Sequence, residues 1–450
     1  MKKKRKIINC VFGLLLIASL TDAGYAVEVE ELTLDKAIEI ALKSNPSLRQ
    51  TANQVKLGEI SVKQRKTNFY PDLNLSANST KQYSKTLNQG TGLYENNNNT
   101  NLNLSLSSNV NLFNGFYDIA SLQQTKSELK AAKGNLSRYS QAIVFETIQR
   151  YIQVITASES IKVETENLEA QRLQLIRVDE FVKAGRRPVT DLYQQKAEIS
   201  RSEYRLLEAE RNYKLNKLLL LQTLGIEAGV DYRVTGLDID ASIKETQEFD
   251  EDNMLKEALI RRPDIDAQQQ QVEAAQKGVT ASRSGYWPKL SFFTDIATNY
   301  SSMNELDGLS KQLFDNNPNA TIGLSLFVPL FDKGTTKNSV ASAKVQLANQ
   351  QLESKKLEQQ VGVEIRQAIE DYNTARKQVD VAESQLKYAQ SALESVQGRY
   401  NVNAATMVEL TLARTQYLEA RYSRIEAKFN LLLRGIAVMF YQGTLNSNID

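Results

Sequence analysis

A chain of 450 residues without one histidine, and with a single cysteine at Cys10, lacks the commonest general base and the commonest ligands of zinc, copper and haem. We therefore expect no enzyme activity and no cofactor or metal. The formal charge is +2, of which residues 1–26 supply five basic side chains and one acidic, so the remainder carries −2 and no nucleic-acid partner is indicated.

Residues 1–26 read as a secretory signal peptide: Lys2 to Lys6 are basic, Ile7 to Leu20 apolar, and small Gly24 and Ala26 place cleavage after Ala26. Cys10 lies inside this leader, and Ile7, Ile8 and Asn9 before it do not resemble a lipoprotein motif, so the mature chain is expected to lack thiols and a lipid anchor. Beyond it no apolar run approaches the roughly 18 to 20 residues of a membrane helix, so any crossing must use strands.

Thr33 is placed to cap a short helix that ends near Ser44, and Asn45-Pro46 to start a second that runs to about Phe69. Pro71 stops it, and Leu73, Leu75 and Ala77 then alternate with polar residues, which predicts a strand over about 72–84. The Asn-rich stretch Asn88 to Asn101 follows, its run Asn96 to Asn99 read as a solvated tip. Leu102, Leu104, Leu106, Ser108, Val110 and Leu112 predict a returning strand over about 101–113. A proline-free stretch rich in Gln, Lys, Glu, Ala and Leu predicts a long helix over about 115–184, with another over 188–224.

The order then repeats at an offset of 217 to 218 residues: Pro46 with Pro263, Pro71 with Pro288, Tyr70 with Trp287, Leu112-Phe113 with Leu330-Phe331, Gly225 with Gly443. This predicts two structural repeats, 27–232 and 233–450. The second holds strands over about 289–300 and 321–331, separated by the polar loop Ser301 to Ala320, and a long helix over about 334–403. Each long helix has 70 residues, roughly 105 Å. The shorter helices 47–69 and 188–224, with 23 and 37 residues, nearly match it if stacked end to end, giving two columns below each strand hairpin.

A hairpin with an apolar face can sit in lipid only inside a closed barrel, and four strands cannot close one. Two copies would supply 8 strands and three would supply 12, the smallest known barrels having about 8. Aromatics stand where the strands meet the helices: Phe69 and Tyr70, Tyr286 and Trp287, Phe113, Phe116, Phe327 and Phe331. They read either as a membrane-interface belt, represented by Tyr70, Phe113, Trp287 and Phe331, or as caps on helix-strand junctions of a soluble protein.

With that layout, three segments carry a family resemblance. Ile322 to Phe331 (IGLSLFVPLF) is similar to the strand that leads into the second long helix of the TolC or outer-membrane-factor family, the exit ducts of tripartite efflux pumps and type I secretion systems. Ala184-Gly185 through Leu192, and Arg399-Tyr400 through Leu410, resemble that family's two helix-hairpin turns. The resemblance implies a membrane β-barrel continued by a long α-helical barrel, a homotrimer with 12 strands and a 12-helix periplasmic tube whose tips close like an iris. It also implies an outer-membrane location extending into the periplasm, contact with outer-membrane lipid, and partners in a periplasmic adaptor (membrane fusion) protein and an inner-membrane RND or ABC transporter.

Carried over residue by residue, the family's aperture lock falls on Thr190, Asp191 and Tyr400, while its arginine position holds Ala405, leaving Arg186 and Arg187 as substitutes. Its acidic cation ring falls on Glu409, with Leu412 at the second position. Gly185, Arg186, Arg187, Asn403 and Thr406 are the matching adaptor-docking tips. Thr406 and Glu409 also have the spacing of a capping box, which explains their identity without gating. The expected function is a passive export duct that conducts substrates chosen upstream. The alternative is a periplasmic coiled-coil scaffold outside the membrane, its alternating segments forming a soluble sheet.

Overall fold

The computed structural model describes residues 30–227, 232–236 and 249–445; the expected signal peptide, its expected cleavage site and Cys10 lie outside them. Thr33 caps α1 (Leu34–Ser44), its hydroxyl accepting from Lys36 N at 3.3 Å. Asn45 caps α2 (Pro46–Thr67) by accepting from Leu48 N at 3.0 Å, with Pro46 in the first turn where no N–H is missed. Two strands follow, β2 (Asn74–Leu87) and β3 (Tyr94–Asn114), then α3 (Tyr117–Lys183) and α4 (Val189–Leu224). The second half repeats the order in α5 (Glu251–Arg261), α6 (Pro263–Arg283), β5 (Lys289–Ser301), β6 (Asn319–Phe327), α7 (Thr335–Asn401) and α8 (Met407–Gln442). α3 and α7 both have 67 residues, about 100 Å of helix, and α4 and α8 both have 36.

The shorter helices do stack. The Asn45 amide donates to Thr223 O at 2.8 Å, joining the start of α2 to the last turn of α4. Gly225, with φ +72°, closes that seam: a Cβ there would lie 2.7 Å from Ser44 O. Gly443 ends α8 in the same way against Arg262 at the start of α6. α2 lies along the first part of α3, where Lys133 pairs with Glu59 at 3.4 Å, and α4 along the later part, where Arg172 pairs with Glu203 at 3.1 Å. α6 fills the space between α3 and α7, and α8 leans on α3 through Tyr422, whose hydroxyl donates to Glu164 Oε1 at 2.6 Å.

Two apolar clusters hold the middle of the bundle. One gathers Leu32, Ile148, Tyr151, Leu220, Leu224 and Phe429; the other Met254, Ile265, Ile365, Tyr372 and Val438. Two three-residue strands not expected from the sequence, β1 (Glu30–Leu32) and β4 (Tyr232–Val234), pair in parallel beside the first cluster. The Tyr151 hydroxyl, 2.9 Å from Leu32 O and 2.8 Å from Thr235 O, ties both to α3, and burial pushes it up to about 12.

The four long strands form one antiparallel sheet in the order β2-β3-β5-β6, so β2 and β6 are edges without a partner strand among the described residues. The register sorts the side chains. One face carries Leu75, Ala77, Leu102, Leu104, Leu106, Val110, Leu290, Phe292, Ile296, Ile322, Leu324 and Leu326. The other is mostly polar, carrying Asn74, Ser76, Asn78, Asn101, Asn103, Ser105, Ser107, Asn109, Ser291, Asp295, Thr321 and Ser325 together with Phe293, Ala297 and Phe327, with Ser76 and Ser105 hydrogen-bonded across it at 2.6 Å. Half of the apolar set is exposed, Leu75 at 77 % and Ile322 at 72 %, and the rest, on the two central strands, is half-buried.

The structure corrects three local expectations. β3 begins at Tyr94, so Asn96 to Asn99 belong to the strand: ladder bonds to β2, with Lys85 opposite Asn96 and Gln82 opposite Asn99, override asparagine's poor strand preference. The turn is shorter, closed by Asn88 N donating to Leu93 O at 2.8 Å. β6 stops at Phe327 rather than 331, two residues before Pro329, which has no N–H to give a ladder. The polar loop expected over 301–320 is shorter at both ends, since β5 includes Ser301 and β6 begins at Asn319, and within it buried Gln312 accepts from Ser301 N at 3.0 Å and donates to Asp307 O at 2.7 Å.

Candidate functional site

The far end of the bundle is made by two turns. α3 closes on Gly185 (φ +69°), with Arg186 N donating to Phe181 O at 2.8 Å, and Pro188 then starts α4. α7 closes on Asn403 (φ +63°), with Ala404 N donating to Arg399 O at 2.8 Å. Thr406 and Glu409 form a complete capping box for α8, Glu409 N donating to Thr406 Oγ1 at 3.2 Å and Thr406 N to Glu409 Oε1 at 3.3 Å. The Thr406 N–H and hydroxyl, then Arg399 at 3.2 Å, hold the Glu409 carboxyl below the usual glutamate range.

Between the turns sits Arg187. Its Nη2 donates to Tyr400 O at 2.7 Å and Ala405 O at 3.1 Å, its Nη1 lies 3.8 Å from Asp191 Oδ2, and the guanidinium stacks 4.1 Å from the Tyr400 ring centre. The Tyr400 side chain is fully buried and its hydroxyl donates to Asp191 Oδ2 at 3.3 Å. Burial first, and the Asp191 charge second, push that hydroxyl up to about 12, so it stays a donor. Val178, Ala405, Met407 and Leu410 pack beneath as a third apolar cluster, which keeps water from competing for these bonds.

Of the four aperture positions, Asp191 and Tyr400 meet; Thr190 is exposed outside the network, and Glu409 pairs instead with Arg399, both of them partly exposed. Of the two candidate arginines, Arg187 reaches the pair, whereas Arg186 is exposed with its guanidinium 5.3 Å from the Phe181 ring. Among the tip positions, Gly185, Arg186, Asn403 and Thr406 are exposed corners, while the Arg187 side chain is only 11 % exposed. Arg399 was not singled out from the sequence; its ten-residue separation from Glu409 across a turn hides the pairing.

At the opposite end of the long helices, Phe116 joins Phe113 and Trp287 edge-on, with ring centres 5.1 and 6.1 Å away. Gly115 is required there, because a Cβ would come within 2.5 Å of Ser284 O. A one-residue bulge between Asn111 and Phe113 turns Phe113 onto the apolar face, opposite Leu290. Tyr70, 69 % exposed, and Phe331, 85 % exposed, stand outside this cluster. Among the described residues no helix is long and apolar enough to cross a membrane, and no group of three or more acidic, Cys or His side chains could hold a metal.

The chain matches the profile of the family described as "Outer membrane efflux protein" over residues 37–226 and 254–444. It is 22 % identical to "Outer membrane protein TolC" of Escherichia coli (strain K12) over 453 aligned positions, covering 98 % of this chain and 87 % of that protein. It is 24 % identical to "Protein CyaE" of Bordetella pertussis, covering 94 % and 87 %. In fold it is similar to the Neisseria gonorrhoeae MtrE outer membrane channel, with a TM-score of 0.76 at 18 % identity over 93 % of this chain and 90 % of that one. The chain belongs to the outer membrane efflux protein family, the TolC family whose features its sequence carries, and its place is the outer membrane.

Proposed function

We propose that three copies of this chain close a twelve-stranded barrel continued by a twelve-helix tube, and that this duct passively carries substrates out across the periplasm and outer membrane. The observation that carries the reading is the sheet: one apolar, partly exposed face, one mostly polar face, and two edges without partners among the described residues. Such a sheet is satisfied when each edge pairs with a neighbouring copy, the apolar face meets lipid and the polar face lines water. A scaffold outside the membrane leaves that apolar face unaccounted for. Two repeats, 27–232 and 233–450, are supported by the matched element lengths and by the two family segments 37–226 and 254–444.

In this reading the duct is the outer component of a tripartite efflux pump or type I secretion system, driven by an inner-membrane transporter through a periplasmic adaptor. It performs no catalysis. Arg187, Asp191 and Tyr400 hold the tip of each protomer closed, Glu409 contributes acidic charge at the entrance, and exposed Gly185, Arg186, Asn403 and Thr406 meet the adaptor.

Mass measurement of the purified protein in detergent should give three protomers, and a stable folded monomer with no larger species would overturn the barrel. If Trp287 lies at the periplasmic edge of the bilayer, its fluorescence should be quenched more by lipids labelled near the headgroup than by labels at the chain ends. Equal insensitivity to both labels would place Trp287 away from lipid.

A further inference from the structure

Throughout the apolar face of the sheet, the described strand residues include two charged side chains, Lys81 and Lys85. Both are exposed, both are cationic, and neither has a carboxylate partner among the described residues. The acidic residues of the same strands, Glu95 and Asp295, project from the opposite face. The lysines occupy neighbouring positions on either side of Tyr83, and Lys81 Nζ lies 5.2 Å from the Tyr83 ring centre. Tyr94, opposite Leu87, adds a second exposed ring to the patch.

Their height is fixed by the register. On this face the apolar residues of β3 run from Leu102 to Phe113, about 35 Å along the strand and about 25 Å tall once the strand tilts as barrel strands do. Leu102 lies opposite Ser79, so Lys81 is the next residue outward on that face, about 7 Å further along, on the side away from the helices. A lysine stem lies along apolar surface while its ammonium reaches a polar layer. In the barrel reading, the place it reaches here is the headgroup layer of the outer leaflet.

We propose that Lys81 and Lys85, with Tyr83 between them, bind the phosphate groups of an anionic glycolipid in the outer leaflet of the outer membrane. This rests on the barrel reading, which decides that the apolar face meets lipid. Charge complementarity selects the occupant: a patch carrying two ammonium groups and no acid, just beyond an apolar band, fits a lipid whose headgroup is phosphorylated. The cation over the Tyr83 ring is oriented before the lipid arrives.

The test is native mass spectrometry of the detergent-purified protein titrated with a bis-phosphorylated disaccharide lipid (lipid A), its dephosphorylated form, and a zwitterionic phospholipid. Each lysine near a charged lipid surface contributes a few-fold, so the bis-phosphorylated lipid should bind about tenfold or more tightly than the dephosphorylated one. Lys81→Gln with Lys85→Gln should abolish that preference, and Lys81→Arg with Lys85→Arg should keep it. Inorganic phosphate in excess should not displace the lipid, because the apolar band supplies part of the affinity. Equal binding of the phosphorylated and dephosphorylated lipids by the unaltered trimer would overturn the proposal, even if the glutamine variant fails to assemble. Displacement by inorganic phosphate would overturn the lipid as occupant. A trimer that conducts ions yet shows no phosphate preference refutes this proposal alone, whereas a monomer refutes the barrel reading beneath it.

Discussion

Arg262→Ala is expected to destabilise the protein by about 3 to 5 kcal/mol, the usual result of removing one partner from a buried charge cluster. The Arg262 side chain is 2 % exposed and forks onto Asp264, Nε to Oδ1 at 3.0 Å and Nη2 to Oδ2 at 2.7 Å, while Nη1 reaches Glu364 Oε2 at 2.6 Å. It thereby joins α6 to α7, and its stem packs on Gly443 at the end of α8. Arg138 of α3 enters the same cluster, 3.6 Å from Asp264 and donating to Phe440 O at 3.0 Å, with its pKa brought down to about 10 by burial and then by Arg262.

The sign of the pH dependence follows. Burial alone would raise the Asp264 carboxyl, but the hydrogen bonds and charge of Arg262 outweigh it and hold the group below its ordinary value. That stability is complete above the ordinary carboxylate range and is lost as pH falls through the depressed value. Without Arg262 the largest influence opposing burial is gone, Asp264 binds a proton more readily than in the parent, and the deficit of the variant shrinks on acidification. Urea unfolding followed by far-ultraviolet circular dichroism, at neutral and mildly acid pH, measures both effects. Arg262→Lys, which keeps the charge and loses the fork, should fall between the two proteins. A deficit below about 1 kcal/mol at neutral pH would show that the cluster contributes no more than an exposed pair.

Arg187→Ala is expected to open the tip. The substitution removes two hydrogen bonds to carbonyls of the facing turn, the contact to Asp191 and the stacking on Tyr400, and leaves Asp191 in a site only 9 % exposed. The loss is about 3 kcal/mol per protomer, enough to shift a closed-open equilibrium by roughly two orders of magnitude. Single-channel conductance in planar bilayers should rise severalfold. Tyr400→Phe, which loses one hydrogen bond, should give a smaller rise. Because burial pushes the Tyr400 hydroxyl up, its bond to Asp191 persists through the ordinary tyrosine range and is lost as pH climbs toward about 12. If Arg187→Ala conducts like the parent, the cluster only caps helices.

The long helices and the sheet were legible in the sequence because each rests on a long periodic signal. Proline-free stretches predicted helices over 115–184 and 334–403, and the structure shows 67-residue helices within two residues of those bounds. Strand alternation predicted the face that carries Leu104 and Leu324, and the register places both there. β1 and β4 were not legible: three residues hold no period, and Leu32 pairs with Val234 some two hundred residues away. At the tip, sequence matching reached Asp191 and Tyr400 and left Arg186 and Arg187 as equals; the side-chain direction after Gly185 separates them. Arg262 was not singled out at all, since in the sequence it is one of 55 Lys and Arg residues, and burial distinguishes it in three dimensions alone.

The seam at Gly225 and its counterpart at Gly443 are breaks between stacked helices, whereas α3 and α7 run unbroken. In mechanical terms each protomer sets a continuous spar beside a jointed strut, so bending strain concentrates at two fulcrums. From there the 36 residues of α4 and of α8 extend as lever arms of about 54 Å. A tilt of about 5° at the fulcrum carries the far end by about 5 Å over an arm of that length. Small adjustments near Asn45 and Arg262 would therefore be magnified into a displacement at the tip as wide as one turn of helix.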